Sequence, residues 1–295
     1  MKSQKLLHWL LITLSVLLST LSLQAQYNKL DSLKGYNLKV YFSKGQDERA
    51  KQMAQLSHNA IGYTNKLVHF TPTITLLILS PADWLGYTKF PVYGMPHYAD
   101  EQTLVVAAED NAFWKSFIPP LEQLPPSLAA QIKEVYAKDG ALTMQPFFDL
   151  LTLHELGHAF HQQAGLTMQR KWMGELFCNI LLHTFIAENR PEYLPALTVF
   201  PNMVVASGTK GYLFTTLEQF ESNYNEIGTK HPKNYGWYQS RLHAAAKDIY
   251  DAGGKAVLQK LWVFLKAKNE KKDSQLAKQL AQKVDPAIAD VLLRW

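Results

Sequence analysis

Three residues in the middle of the chain have the types and spacing of a site that binds a metal and transfers a proton. His154, Glu155 and His158 lie in the run His-Glu-Leu-Gly-His. On a helix the two histidines project from one face a turn apart, so both imidazoles can reach a single Zn²⁺ at roughly 2 Å. Glu155 then projects beside the metal, where a carboxylate can take a proton from water. The alternative is a helix with two ordinary histidines and a surface glutamate.

A catalytic zinc needs a third protein ligand and one open position for water. Glu175 is the candidate, because it lies in the middle of residues 171–189, a mostly apolar segment with helical periodicity, where an unpaired carboxylate is costly to bury. Asn179 lies one turn further on the same face. Its side chain could accept the outer N–H of a ligand histidine and so fix the tautomer of that ring.

The helix that carries the motif is predicted over residues 146–163. Pro146 suits the first helical position, Asp149 suits the first turn, and Gly165 suits the end. The sequence therefore places the two histidines and Glu155 on one continuous helix.

The rest of the chain divides at a proline-rich connection, residues 118–126. Before it, short apolar runs predict strands at residues 37–42, 73–79 and 103–108, with a helix over residues 46–70. After it, the periodicity is helical almost to the end. We therefore expect an α+β fold, with an α/β lobe at residues 26–126 that carries a small mixed sheet, and a mostly helical lobe at residues 127–295.

His154, Glu155 and His158, followed by Glu175 after a 16-residue gap, resemble the gluzincin group of metallopeptidases, which includes thermolysin-like enzymes and the aminopeptidase N family. The run Trp-Met-Gly-Glu-Leu-Phe at 172–177 also resembles the surroundings of the third ligand in the aminopeptidase N family. The likeness covers about residues 146–254. It implies a zincin-like fold with the active site in the cleft between the two lobes.

The resemblance further implies that His154, His158 and Glu175 hold zinc, while Glu155 acts as general base. Two features depart from the family: the gap is shorter than usual, and Asn179 stands where thermolysin-like enzymes carry aspartate. A metzincin pattern fails, because His161 and Ala164 occupy the positions that would need glycine and histidine, so we interpret His161 as a polar helix residue.

Gluzincins also supply a downstream tyrosine or histidine that stabilises the developing oxyanion. Tyr238 is the candidate, because the run Tyr-Gln-Ser-Arg at 238–241 resembles the Tyr-x-x-Gly helix of the aminopeptidase N family. Tyr235 and His243 are the alternatives. In zincins an edge strand above the active helix pairs with extended substrate, and residues 93–108 are placed in the sequence to supply it.

Composition limits the class of protein and its location. The chain has 295 residues, of which 47% are hydrophobic and 19% charged, and its net charge of +5 is too mild to indicate a nucleic-acid partner. Lys2 and Lys5, an apolar run at 6–23 and Ala25 predict a signal peptide over residues 1–25, with no stable membrane insertion after its removal. An uncleaved N-terminal anchor is the alternative.

The segment around Ala25 resembles that of exported Gram-negative proteins, so we expect a periplasmic or secreted protein. Cys178 is the single cysteine, so no internal disulfide can form. The leading hypothesis is an exported zinc metallopeptidase that acts on a peptide or protein substrate. The alternatives are a catalytically inactive zincin-like binding or scaffold protein, and a structural protein without metal.

Overall fold

A computed structural model describes residues 27–118, 120–138, 140–267 and 272–295. The predicted signal peptide, residues 1–25, lies outside the described residues. Within the described part of the chain, every helix is too short or too polar to cross a membrane.

Among the described residues, seven short strands form one mixed sheet and one hairpin. The strands are β1 (Asp31–Leu33), β2 (Lys39–Phe42), β3 (Thr75–Leu79), β4 (His97–Tyr98), β5 (Thr103–Ala107), β6 (Ala137–Lys138) and β7 (Ala141–Leu142). The first five form a sheet of order β1-β2-β3-β5-β4. Strands β2, β3 and β5 are parallel, whereas β1 and β4 run antiparallel at the two edges. The three predicted strands are the three parallel ones, so the small mixed sheet of the α+β prediction is confirmed.

The sheet is buried on both faces. Along β3, Leu76 and Ile78 pack into the core formed with the long helices, while Leu77 and Leu79 face a second apolar cluster that includes Trp84. This alternation follows from the two-residue period of a strand. Because both faces are covered, β3 is buried throughout and apolar from Leu76 to Leu79, as is typical of the central strands of a parallel sheet.

Helices make up most of the remaining structure. They are α1 (Asp47–Val68), α2 (Pro81–Tyr87), α3 (Ala112–Lys115), α4 (Pro126–Tyr136), α5 (Gln145–Gln163), α6 (Lys171–Asn189), α7 (Leu194–Ala206), α8 (Leu217–Lys230), α9 (Pro232–Gly253), α10 (Lys255–Leu265), α11 (Asp273–Lys283) and α12 (Pro286–Leu293). Leu121–Gln123 and Pro191–Tyr193 form 3₁₀ turns. The hairpin of β6 and β7 interrupts the helical second half. The Asp-Gly pair at 139–140 is a hairpin-turn signal that the helical prediction passed over.

The motif helix α5 runs over nearly the predicted residues. Pro146 lies in its first turn, and Gly165 follows its end with a left-handed φ of 64°, which glycine adopts without strain. The expectation for Asp149 was wrong. Helix α5 begins at Gln145, so Asp149 lies beyond the first turn, where its carboxylate pairs with the guanidinium of Arg49 on α1 instead of capping the helix.

Helix α6 is the central element of the helical half. Every residue from Trp172 to Ile186 is buried, as expected for a helix surrounded by others. It contacts α5 closely at Gly157, where a Cβ would lie 2.8 Å from the Cα of Cys178. Glycine at this position therefore lets the two helices that carry the candidate ligands approach each other.

Candidate metal centre

Helices α5 and α6 bring three of the predicted site residues together. Glu175 Oε2 lies 3.1 Å from His154 Nε2 and 3.6 Å from His158 Nε2. The rings of the two histidines are 5.0 Å apart between centroids. One carboxylate oxygen of α6 thus faces both ring nitrogens that α5 presents from successive turns.

These three side chains have limited access to solvent. The exposed fraction is 3% for the side chain of Glu175, 7% for that of His154 and 17% for that of His158. Burial alone would raise the pKa of Glu175, but His158 and His154 hold it well below its ordinary value. Burial alone would lower the pKa of His158, but Cys178 and Glu175 raise it well above the usual range. Without metal, the carboxylate is therefore balanced by an imidazolium.

The ligand types and the two distances from Glu175 are compatible with a divalent zinc ion. Two ligand atoms that are each 2.0–2.1 Å from a tetrahedral zinc lie about 3.3 Å apart. The separations of 3.1 and 3.6 Å between Glu175 Oε2 and the two Nε2 atoms lie on either side of that value. Two imidazoles and one carboxylate are also the ligand types of catalytic zinc sites, which keep one position free.

Cys178 is a competing third ligand, which the sequence analysis considered only as a cysteine without a disulfide partner. Its sulfur and one nitrogen from each of His154 and His158 all lie within 4.8 Å of one another. Burial raises the pKa of the Cys178 thiol to about 11, although His158 opposes this. Because zinc binds the thiolate, a carboxylate that is already ionised is the easier ligand to recruit. We therefore favour Glu175.

Each imidazole has a second partner at its outer nitrogen. Asn179 Oδ1 lies 2.8 Å from His154 Nδ1, and His161 Nε2 lies 3.0 Å from His158 Nδ1. An acceptor at Nδ1 places the ring proton there and leaves Nε2 free to bind a metal. Asn179 thus lies where the sequence analysis placed it, whereas His161 was interpreted only as a polar helix residue.

The carboxylate of Glu175 also accepts hydrogen bonds from helices α8 and α9. Tyr224 donates its hydroxyl to Oε1 at 2.5 Å, and Gln239 donates its Nε2 to Oε2 at 2.8 Å. The Tyr235 hydroxyl lies 3.5 Å from Oε1 and accepts a bond of 2.8 Å from Gln239 Nε2. These neutral donors hold the carboxylate in one orientation.

The structure does not bring Tyr238 to this cluster. Its hydroxyl donates to the carbonyl of Thr216 at 2.8 Å, and its buried ring stacks on that of Trp295. On α9, Tyr235 and Gln239 are four residues apart and share the face toward Glu175, whereas Tyr238 is rotated away from that face. Of the candidates for an oxyanion donor, Tyr235 is the one whose hydroxyl reaches the cluster.

The remaining sequence candidates lie at the border of the cluster. The ring of His243 lies 6.1 Å from that of His154 between centroids, and burial lowers its pKa well below the usual range. Glu155 is half-buried, and burial raises its pKa above the ordinary value against the opposing effect of the two imidazoles. Its backbone carbonyl accepts a bond of 3.0 Å from the hydroxyl of Tyr98, so edge strand β4 lies against the motif helix.

A separate cavity of about 680 Å³ lies at the amino-terminal end of α5. It is lined by Arg49 and Asp149 and by residues of α1 and of the β6 strand, and His154 and His158 are not among its lining residues. The site is therefore defined by its donor atoms and not by the cavity.

Sequence reasoning missed Tyr224, Gln239 and the role of His161. His161 carried a usable signal, because positions 154, 158 and 161 form one stripe along a helix. Tyr224 had none, since it comes from a helix whose placement depends on tertiary packing.

No known protein family, curated protein or solved structure matches this chain at a significant level. The resemblance to gluzincins therefore depends on the motif residues themselves. Any function has to be inferred from the chemistry of the site.

Proposed function

We propose that the protein is an exported zinc-dependent metallopeptidase that hydrolyses peptide bonds in peptide or protein substrates. The observation that carries this proposal is the position of Glu175 Oε2, 3.1 Å from His154 Nε2 and 3.6 Å from His158 Nε2. A buried helix has little other reason to present a carboxylate to two imidazoles, because the desolvation of all three groups must be offset.

The residues divide the chemistry between them. A bound Zn²⁺ supplies Lewis acidity, which makes water a nucleophile near neutral pH and polarises the substrate carbonyl. Glu155 takes the proton from the attacking water and then delivers it to the leaving amine. Its raised pKa suits both steps, because a base with a pKa nearer neutrality also becomes a competent acid.

The sheet offers a place for substrate. Strand β4 is at the edge of the five-stranded sheet, and Tyr98 on it contacts the motif helix at Glu155. An extended peptide that pairs with this edge would run past Glu155, as in a zincin-like fold with its active site in the cleft between sheet and helices.

Tyr235 is the proposed oxyanion donor. Tyr224 is tied to Glu175 by a short hydrogen bond of 2.5 Å, whereas the Tyr235 hydroxyl lies 3.5 Å from the same oxygen. Gln239 Nε2 also donates to the Tyr235 hydroxyl at 2.8 Å and so holds it beside the cluster, and a fixed donor is worth most in the transition state.

The test is to replace Glu155 with Gln and to measure zinc content together with cleavage of a mixed peptide library by mass spectrometry. We expect one zinc per chain in both proteins, chelator-sensitive cleavage by the unaltered protein, and a loss of at least about 100-fold in the variant. Glu188→Gln, the same change near the far end of α6, is the control and keeps full activity. Activity retained by Glu155→Gln with zinc bound would contradict the proposed base.

A second candidate function, a zincin-like scaffold without turnover, is favoured by one observation. The Cys178 sulfur lies within 4.8 Å of one nitrogen from each of His154 and His158, and a zinc ion held by Cys178 in addition to Glu175 would have four protein ligands, as in closed structural sites. Bound zinc with no cleavage of any library peptide by the unaltered protein would support the scaffold over the peptidase.

A further inference from the structure

His161 has an unusual position for a residue outside the ligand set. It lies on α5 three residues after His158, and its Nε2 atom is 3.0 Å from His158 Nδ1. The side chain is buried, and its ring lies edge-on to that of Phe177, with 5.9 Å between centroids. Gly174 of α6 lies beside this ring, and a Cβ there would be in ordinary van der Waals contact with it, 3.8 Å from His161 Nε2.

The contact between two imidazole nitrogens fixes which one donates. His158 Nε2 faces Glu175 Oε2 and is the nitrogen available to a metal, so it must carry a lone pair when the metal binds. The proton of the neutral ring then lies on Nδ1, which donates to His161 Nε2. This assigns His161 the tautomer with its proton on Nδ1 and makes it an acceptor toward the site.

We propose that His161 is a positioning residue that holds the His158 ring in its metal-binding tautomer and orientation. The inference rests on the proposed zinc site and adds to it. His161 then does for His158 what Asn179 does for His154, whose Nδ1 lies 2.8 Å from Asn179 Oδ1. Such outer partners of ligand histidines typically change metal affinity by about 10- to 100-fold.

The orientation of His161 argues against a role as a fourth ligand. Its Nε2 approaches the Nδ1 side of the His158 ring, whereas Glu175 lies on the Nε2 side. The two ring nitrogens of an imidazole point in divergent directions. A nitrogen engaged with Nδ1 therefore lies behind the ligand and not beside the metal.

The experiment measures zinc affinity by competition with a chromogenic chelator in three variants of the full chain. We expect His161→Leu to weaken zinc binding by about 10- to 100-fold. His161→Gln keeps an acceptor oxygen near the position of Nε2 and should restore affinity close to that of the unaltered protein. His183→Leu is the matched control: it removes a different buried histidine, one on α6, and should leave zinc affinity unchanged.

A second measurement does not depend on whether the leucine variant folds. In the unaltered protein with Co²⁺ in place of zinc, the N–H protons of ligand histidines give paramagnetically shifted, exchangeable NMR signals. We expect two slowly exchanging signals, one protected by Asn179 and one by His161. His161→Leu should lose one of them and His161→Gln should keep both.

The outcomes separate this inference from the proposed function. Equal zinc affinity in His161→Leu and the unaltered protein, or only one protected N–H signal before any substitution, would overturn the role of His161 while leaving a peptidase possible. The expected affinities and signals without any peptide cleavage would support His161 and remove the peptidase. A protein that binds neither zinc nor Co²⁺ would overturn both.

Discussion

Two carboxylates on neighbouring helices, the half-buried Asp149 and the buried Glu175, are balanced in different ways. Asp149 on α5 accepts hydrogen bonds from both terminal nitrogens of Arg49, one of them 2.5 Å from Nη1 to Oδ2. Glu175 on α6 has no guanidinium or ammonium partner among the described residues; its ion-pair contacts are with the imidazoles of His154 and His158.

The pKa values of the two carboxylates move in opposite directions. Burial raises the pKa of Asp149, in spite of the opposing effect of Arg49. Burial would also raise the pKa of Glu175, but His158 and His154 bring it well below the ordinary value. A guanidinium keeps its charge at any relevant pH, whereas an imidazole can release its proton. The positive charge beside Asp149 is therefore fixed, whereas in the proposed site a bound zinc ion would replace the imidazolium beside Glu175.

The largest expected effect is on zinc affinity, which should depend on Glu175 and not on Asp149. Glu175→Gln should weaken zinc binding by more than the roughly 100-fold loss typical of an outer partner, because a ligand itself is removed. Asp149→Asn should leave zinc affinity unchanged, since Asp149 pairs with Arg49 on the far side of α5. Chelator competition and metal analysis of the purified variants measure both.

Cys178→Ala is the control that tests which third ligand is used. If Glu175 holds the metal, this variant keeps its zinc, because the thiol only lies near the two imidazoles. Zinc lost from Cys178→Ala but retained by Glu175→Gln would reverse the assignment.

The sequence predicted the parts of the fold that depend on local pattern. The long helices α5 and α6 were placed to within one residue, because their apolar periodicity and flanking Pro146 and Gly165 are local signals. The hairpin of β6 and β7 was missed, since each strand has two residues and shows no period. Asp149 was expected in the first turn because an acidic residue suits a helix start, and its actual partner Arg49, 100 residues away in sequence, gives no local signal.

The site residues also fall into those that local pattern predicts and those whose position depends on tertiary packing. His154 and His158 share a face by helix geometry alone, and an isolated carboxylate in an apolar helix pointed to Glu175. Tyr238 was chosen by resemblance, but which face of α9 meets α6 is set by packing between elements distant in sequence. The structure turns Tyr235 toward Glu175 and Tyr238 toward Trp295.

The second effect concerns stability. Arg49→Met should lower the free energy of unfolding by about 2 kcal/mol, somewhat less than the loss for a fully buried pair because the Asp149 side chain is 22% exposed. Added zinc should not change this difference, which urea unfolding with and without zinc would measure. Arg49→Met combined with Asp149→Leu should recover most of the loss, because no unpaired charge remains. A double variant as unstable as the single one would show that packing, not charge, is the cause.

The smallest expected effect is the release of a proton from His158 when zinc binds. The pKa of His158 is well above its usual range, so at pH 7 this ring is protonated without metal and must lose a proton when zinc binds. We expect about one proton released per zinc, and an apparent affinity that rises about tenfold per pH unit until pH passes the pKa of His158. Calorimetry in buffers of different ionisation enthalpy measures the number of protons released per zinc.

Release of two protons, falling to one in Cys178→Ala, would mean that the thiol has become a ligand, although burial raises its pKa to about 11. Release near zero would show that His158 is neutral without metal. The contrast between an imidazolium beside Glu175 and a guanidinium beside Asp149 would then be wrong.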